Sequence, residues 1–385
     1  MRILQVIPSI APVSGGPAQA IIPMCRELSA QQVEVLIVTT DAEMSNGTIP
    51  TRTTVDYKGV PTIFFPSRWG RSFKFSKSLS AWLNANVSEF DAVHIHAVFN
   101  HACIAAARAC RGNDVPYIIR PLGTLDPWSM KQKRFRKQLF WRLRGEEMLR
   151  SAAAVHYTTR GEQEAVEHSL RLNHGQVIPL GIDVEVGCSP SRDELAQQLP
   201  DLNGHSYALV LSRIDPKKGL DVLIEAFSKV TSGSRFRDWR LVIAGDGPSD
   251  YVNRLRQKAT TRVLFPGWVE GENKNGLLQH ASLLALTSYQ ENFGVCLLEA
   301  MACAVPVLVS PYVNLAEEID RAGAGWISQV DHVALENTLV EALGDANERT
   351  KRGLAGQQLS RRFTWNNTAA QLVRLYSSIT SANRN

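Results

Sequence analysis

Across its 385 residues the sequence has no Cys-x-x-Cys pair, no His/Cys spacing of a metal site and no Gly-x-Gly-x-x-Gly fingerprint. A zinc module, a dithiol redox site and a dinucleotide-binding turn are therefore not expected. No apolar run approaches the length of a membrane span, and no internal repeat or low-complexity tract occurs. The six cysteines (Cys25, Cys103, Cys110, Cys188, Cys296, Cys303) are most simply buried free thiols of a reducing cytoplasm. Cys103/Cys110 and Cys296/Cys303 are each spaced for one helix face, which marks core rather than chemistry. The opening Met1–Pro8 is too short for a signal peptide, carries Gln5 and runs into a glycine turn, so it reads as a first buried strand.

What is present points to two α/β halves. An apolar content of 44% over 385 residues is enough for two cores. Short apolar runs alternate with helical patterns, as in parallel sheets covered on both faces. Strands are expected at residues 3–7, 33–39, 92–96, 117–120, 153–157 and 177–179, with a β-rich insertion near 57–65. The polar, irregular stretch from Glu185 to about Asn203 reads as a linker. Residues 1–185 carry 21 Lys and Arg against 16 Asp and Glu, whereas residues 186–385 carry 21 of each. The net charge of +5 thus belongs to the first half, which suits an anionic partner there.

The candidate chemistry sits at strand ends, where ligands of open α/β sheets gather. In the first half, Gly15 and Gly16 open a helix after strand one, either as a backbone cradle for a phosphate or sugar or as a plain tight turn. His94 and His96 alternate onto one side of a strand, and His96 lies nearer its end. Lys131–Arg144 holds seven cations and no acid, interleaved with Phe135, Phe140 and Trp141. It is either a solvated helix face or a surface for anionic lipid headgroups; no nucleic-acid module accompanies it. In the second half, Arg213 and Lys218 at a strand end beside a helix start suit either a diphosphate clamp or a solvated capping turn. Gly245 ends another strand in a glycine turn, which by itself is plain fold punctuation, and Trp268 with Val269 follows a third strand end. Glu291 precedes Asn292, Phe293, Gly294 and Val295, whose N–H groups would mark the positive start of a helix carrying Glu299.

Glu291-x-Phe293-Gly294-x-x-x-x-Glu299 resembles the glutamate pair of the retaining glycosyltransferases of family 4, which have the GT-B fold. Arg213…Lys218-Gly219, Gly245-Asp-Gly247-Pro248 and the Asp91-x-x-His94-x-His96 stretch resemble the same family, over roughly residues 1–380. Val177-Ile-Pro-Leu180-Gly181-Ile-Asp183 resembles its crossing between halves, with Leu180 where Asn is usual, and Ser212 stands where the clamp usually has Gly. The resemblance implies two facing doubly wound Rossmann-like domains. An acceptor-binding domain would span 1–183, joined by a C-terminal helix at 366–385 that crosses back to it near Trp365 and Tyr376. A nucleotide-sugar donor domain would span 184–365. It implies transfer of a sugar from a nucleotide diphosphate to a hydroxyl with retention. Glu291 and His96 would hold the sugar, Arg213 and Lys218 the diphosphate, Glu299 the ribose, and Trp268 and Val269 the nucleobase. No Asp-x-Asp occurs, so no bridging metal and no cofactor beyond the nucleotide sugar are expected. UDP-glucose is the expected donor, and a saccharide or lipid-linked saccharide of envelope polysaccharide synthesis the expected acceptor. The expected location is cytoplasmic, peripheral on the inner membrane face. A glycosidase reading of the paired glutamates leaves the phosphate clamp unexplained. A nucleotide-sugar epimerase of the same fold, or a non-catalytic scaffold that binds nucleotide sugars or the membrane surface, is the alternative.

Overall fold

The computed structural model describes residues 1–11, 15–44, 49–68, 73–126, 129–130, 140–183 and 189–382. Of the basic stretch, residues 131–139 and the side chains at 142 and 143 lie outside the described residues, so the membrane-facing reading is untouched by the structure. The chain forms two compact units, Met1–Gly181 with Trp365–Asn385, and Ile182–Thr364. Both are doubly wound α/β units, as the alternating pattern predicts.

The first unit is built on an eight-stranded sheet in the order β3-β4-β2-β1-β5-β6-β7-β8. Its members are β1 (Arg2–Val6), β2 (Glu34–Thr40), β3 (Thr54–Tyr57), β4 (Val60–Phe65), β5 (Ala92–His96), β6 (Tyr117–Arg120), β7 (Ala154–Tyr157) and β8 (Gly175–Val177). All pairings are parallel except β3 with β4. The run expected at 177–179 is displaced to Gly175–Val177, which pairs in register with Val155–Tyr157, the Ile178 N–H closing the ladder on the Tyr157 carbonyl. Every residue of β5 to β7 is buried, since both faces of these central strands are covered, and the burial includes His94, His96, Arg120 and His156. Helices His101–Gly112 and Lys77–Asn86 cover one face, with Cys103 and Cys110 in its core. The terminal helix Trp365–Ala382 belongs to this unit, and its Tyr376 is fully buried against Gln5 and His94.

The second unit holds a parallel six-stranded sheet in the order β11-β10-β9-β12-β13-β14. Its strands are β9 (Ser206–Leu211), β10 (Trp239–Ala244), β11 (Val263–Gly267), β12 (Leu283–Leu286), β13 (Val307–Val309) and β14 (Gly325–Ile327). The strand order reverses at β1 in the first sheet and at β9 in the second, and a crevice opens beyond the carboxyl ends of strands at such points. One expectation is corrected. Within the stretch read as a linker, Arg192–Gln198 is a helix, because Ser191 and Glu194 form a reciprocal capping box that satisfies its first N–H groups.

Candidate functional site

In the second unit the loops after β9 and β12, neighbours across the reversal point, are stitched together. The Lys217 carbonyl accepts from Tyr289 N–H at 2.7 Å, and the Lys218 carbonyl accepts from Thr287 Oγ1 at 3.2 Å. Gly219, with φ of 63°, permits the crossing, since a Cβ there would lie 2.5 Å from the Thr287 carbonyl oxygen. Gly245 serves the loop after β10 in the same way. A Cβ on it would meet the Ser212 carbonyl oxygen at 1.8 Å, so it lets that loop cross the one carrying Arg213.

The result brings Lys218 and Glu291, 73 positions apart in sequence, into a contact ion pair through Nζ and Oε2, with side chains only 9% and 16% exposed. The Glu291 backbone is fixed on both sides: its N–H donates to the Tyr312 carbonyl at 3.1 Å and its carbonyl accepts from Asn314 N–H at 3.0 Å. Burial pushes the Glu291 carboxyl pKa up. The charges of Lys218 and Lys217, with hydrogen bonds from Lys218 and the Asn292 N–H, outweigh this and hold it below the usual carboxylate range. Lys217 is depressed by burial and by the neighbouring charges of Lys218 and Arg213, with Glu291 opposing. Arg213 itself is exposed.

Helix Val295–Ala302 starts at Gly294, whose φ of 70° is left-handed. A Cβ on Gly294 would lie 2.9 Å from Leu297 Cδ1 and 3.1 Å from Leu286 Cδ2. The first N–H groups of this helix have no acceptor inside it, and they carry the positive end of its dipole. Phe293 is buried and packs edge-on against Phe363 at 6.1 Å, which anchors the turn. One turn on, Glu299 is held by Lys274 Nζ at 2.7 Å, both about one quarter exposed. Trp268 is 43% exposed, its indole N–H donating to Glu270 at 2.6 Å, and Val269 beside it is half-buried. Cys296 is no nucleophile: burial raises its thiol to about 12. Sequence reasoning missed Lys217 and Lys274. The first was legible as a second cation beside Lys218; for Lys274, on helix Gly271–Gln279, no local signal exists.

In the first unit, Gly15 caps helix Gly16–Ala30 at φ 81°, and the residues just before it lie outside the described residues. His96 is buried in a directed chain of hydrogen bonds. His156 Nε2 faces the Ile178 carbonyl at 2.8 Å, so it must carry a proton. Burial, with the charge of Arg120, lowers His156 to about 3 and holds His94 and His96 well below their ordinary range, so all three rings are neutral. His156 Nδ1 is then an acceptor for His94 Nε2–H (3.2 Å), and His94 Nδ1 accepts from the Tyr376 hydroxyl (2.8 Å). That hydroxyl accepts from Gln5 Nε2 (3.1 Å), leaving Gln5 Oε1 to accept from His96 Nε2–H (2.8 Å). One carbonyl thus fixes three tautomers, and His96 retains Nδ1 as a lone-pair acceptor. Arg120, paired with His96 across β5 and β6, is fully buried, and its Nε and Nη2 have no hydrogen-bond partner among the described residues. Among the described residues no His/Cys/Asp/Glu cluster suits a metal ion.

Comparison with known proteins divides the chain at nearly the same place. Residues 14–186 match the family described as Glycosyltransferase Family 4, and residues 191–359 match Glycosyl transferases group 1. A phosphatidyl-myo-inositol mannosyltransferase of Mycobacterium tuberculosis is 29% identical over 213 residues, covering 52% of this chain and 53% of that protein. A D-inositol 3-phosphate glycosyltransferase of Salinispora tropica is 29% identical over 226 residues, covering 54% and 47%. The chain spans about half the length of the curated relatives it matches. Among solved structures, Anabaena HepE in complex with UDP and glucose aligns with TM-score 0.77 at 21% identity, over 98% of this chain and 100% of that one. Sucrose-phosphate synthase of Thermosynechococcus elongatus aligns with TM-score 0.80 at 18% identity, over 99% of each chain. These likenesses show the GT-B fold.

Proposed function

Because the chain belongs to the glycosyltransferases, with a family 4 segment followed by a group 1 segment, we propose that it moves a hexose from a nucleotide diphosphate to a hydroxyl. The reading takes glucose from UDP, with retained configuration and without a metal ion. The acceptor is a saccharide or lipid-linked saccharide of envelope polysaccharide synthesis. One observation carries the proposal: at the reversal point of the second sheet, Lys218 and Lys217 act on Glu291 beside the start of helix Val295–Ala302, with Arg213 near enough to act on Lys217. Departure of the diphosphate builds negative charge, and fixed cations in a partly desolvated site stabilise it as a metal would. Glu291 holds sugar hydroxyls and supports positive charge at the anomeric carbon, while the leaving phosphate takes the acceptor's proton. Glu299, braced by Lys274, takes the ribose hydroxyls, and Trp268 and Val269 the base. His96 Nδ1, a fixed acceptor, is assigned to a sugar hydroxyl, and the Gly15–Gly16 turn to backbone contact with the ligand.

UDP-glucose is supported by HepE, solved with UDP-glucose as well as with UDP and glucose. A lipid-linked acceptor is supported by the mannosyltransferase, whose name gives a phosphatidyl-myo-inositol substrate, and by the basic stretch Lys131–Arg144. No helix among the described residues is long and apolar enough to cross a membrane; a cytoplasmic protein resting on the inner membrane face is the location this reading takes.

The test is thermal-shift titration with UDP-glucose, GDP-mannose and ADP-glucose, followed by hydrolysis of the stabilising donor and NMR of the anomeric product. Stabilisation by UDP-glucose, slow release of UDP and retained configuration are expected. A response to GDP-mannose alone overturns the donor assignment, and binding without hydrolysis favours the non-catalytic scaffold.

A further inference from the structure

The Lys218–Glu291 contact presents a conflict, because the two groups that would grip the diphosphate and the sugar grip each other instead. Neither has a spare role in folding of the kind a surface pair has, since both are nearly buried and both lie on loops at the strand ends. The surrounding charge is unbalanced. Arg213 lies close enough for its charge to act on Lys217. The nearby Asp215 is occupied in capping the Lys217 N–H at 3.0 Å. Glu291 is therefore the carboxylate that holds Lys218, and withdrawing it leaves a buried ammonium with nothing to pair with.

From this we propose that the pair is a lock which a diphosphate opens and a neutral sugar cannot. The inference rests on the donor reading above. When the nucleotide enters, Lys218 Nζ exchanges Glu291 Oε2 for a phosphate oxygen, one buried ion pair for another, so the ammonium is never left alone. Glu291 is released by the same exchange, and its carboxylate becomes free to accept hydrogen bonds from sugar hydroxyls. A sugar without phosphates offers Lys218 no charge, so it cannot take Glu291 from it. Glu291 is thus a specificity-determining group: it makes sugar binding conditional on the diphosphate. No covalent bond changes in this step.

Two measurements test it. Calorimetric titration with UDP compares the native protein with Glu291→Gln, whose amide neither holds Lys218 as an ion pair nor repels phosphate. The substitution is expected to tighten UDP binding about tenfold, the size of one hydrogen bond to a charged group. Unchanged or weaker binding overturns the lock. Saturation-transfer NMR with glucose on the native protein, with and without saturating UDP, needs no variant and stands even if Glu291→Gln misfolds. A glucose signal that requires UDP is expected, and an equal signal without it overturns the lock. Failure of the native protein to bind UDP at all removes the donor reading and the lock together, whereas normal UDP binding with no effect of Glu291→Gln removes the lock alone.

Discussion

Gly219 and Gly267 both stand at positive φ, 63° and 85°, but they differ in what surrounds them. Around Gly267 a Cβ would meet nothing within 4 Å, whereas at Gly219 it would sit 2.5 Å from a backbone oxygen. Gly267→Ala should therefore cost only the left-handed strain, about 1 kcal/mol. Gly219→Ala must also push the loop after β12 away from the loop after β9, and should cost upwards of about 2 kcal/mol. Guanidinium denaturation of the two variants checks this, and equal losses would refute it. Glu299 offers a functional counterpart. If it holds the ribose, Glu299→Ala should raise the donor KM about tenfold or more, the size of a lost charge-assisted hydrogen bond, with a smaller effect on kcat. An unaltered donor affinity would contradict the assignment.

At the scale of elements, the terminal helix Trp365–Ala382 does more than cover the first sheet. Through Tyr376 it joins the chain of hydrogen bonds that sets the tautomer of His96, 280 positions earlier in sequence. Long-range proton–nitrogen NMR correlation on histidine-labelled protein should find His94, His96 and His156 neutral and protonated at Nε2. Tyr376→Phe should leave the Gln5 amide free to turn and give His96 a mixture of tautomers; an unmixed signal would show that the helix does not act on that ring. The helix Arg192–Gln198 makes a simpler case. Ser191→Ala removes half of its capping box and should cost about 1 kcal/mol, measured as loss of stability in urea.

For the molecule as a whole, the three buried histidines couple folding to pH. Their folded-state pKa values lie below the ordinary 6.5, His156 at about 3. Below pH 6.5 the unfolded chain takes up protons that the native rings refuse. The stability these groups contribute is thus complete above about 6.5 and is lost as pH falls toward the native values. The slope approaches three protons, about 4 kcal/mol per pH unit at most. Glu291, depressed in the native state, adds a second loss of the same sign at lower pH, as acid passes through the carboxylate range. Unfolding free energy measured from pH 7.5 to 5 should fall steeply, and His156→Gln should flatten the fall by about one proton; a pH-independent stability in this range would refute the account.

Much of this was legible in the chain itself. The strands expected at 92–96 and 117–120 are Ala92–His96 and Tyr117–Arg120 in the structure, because a strand boundary is a local property of burial period and turn residues. Arg213, Lys218, Gly294, Glu291 and Glu299 could be picked out because short spacings carry their motif, although the motif does not say which groups touch. The capping box at Ser191 lay in plain view within a polar stretch, and composition alone misread it as irregular. Tertiary structure decided the rest. Parallel crossovers bring residues 218 and 291, or 5, 94, 156 and 376, side by side from positions that share no local pattern. Which carboxylate pairs with which cation, and which ring nitrogen keeps its lone pair, are fixed only when burial removes water as the competing partner.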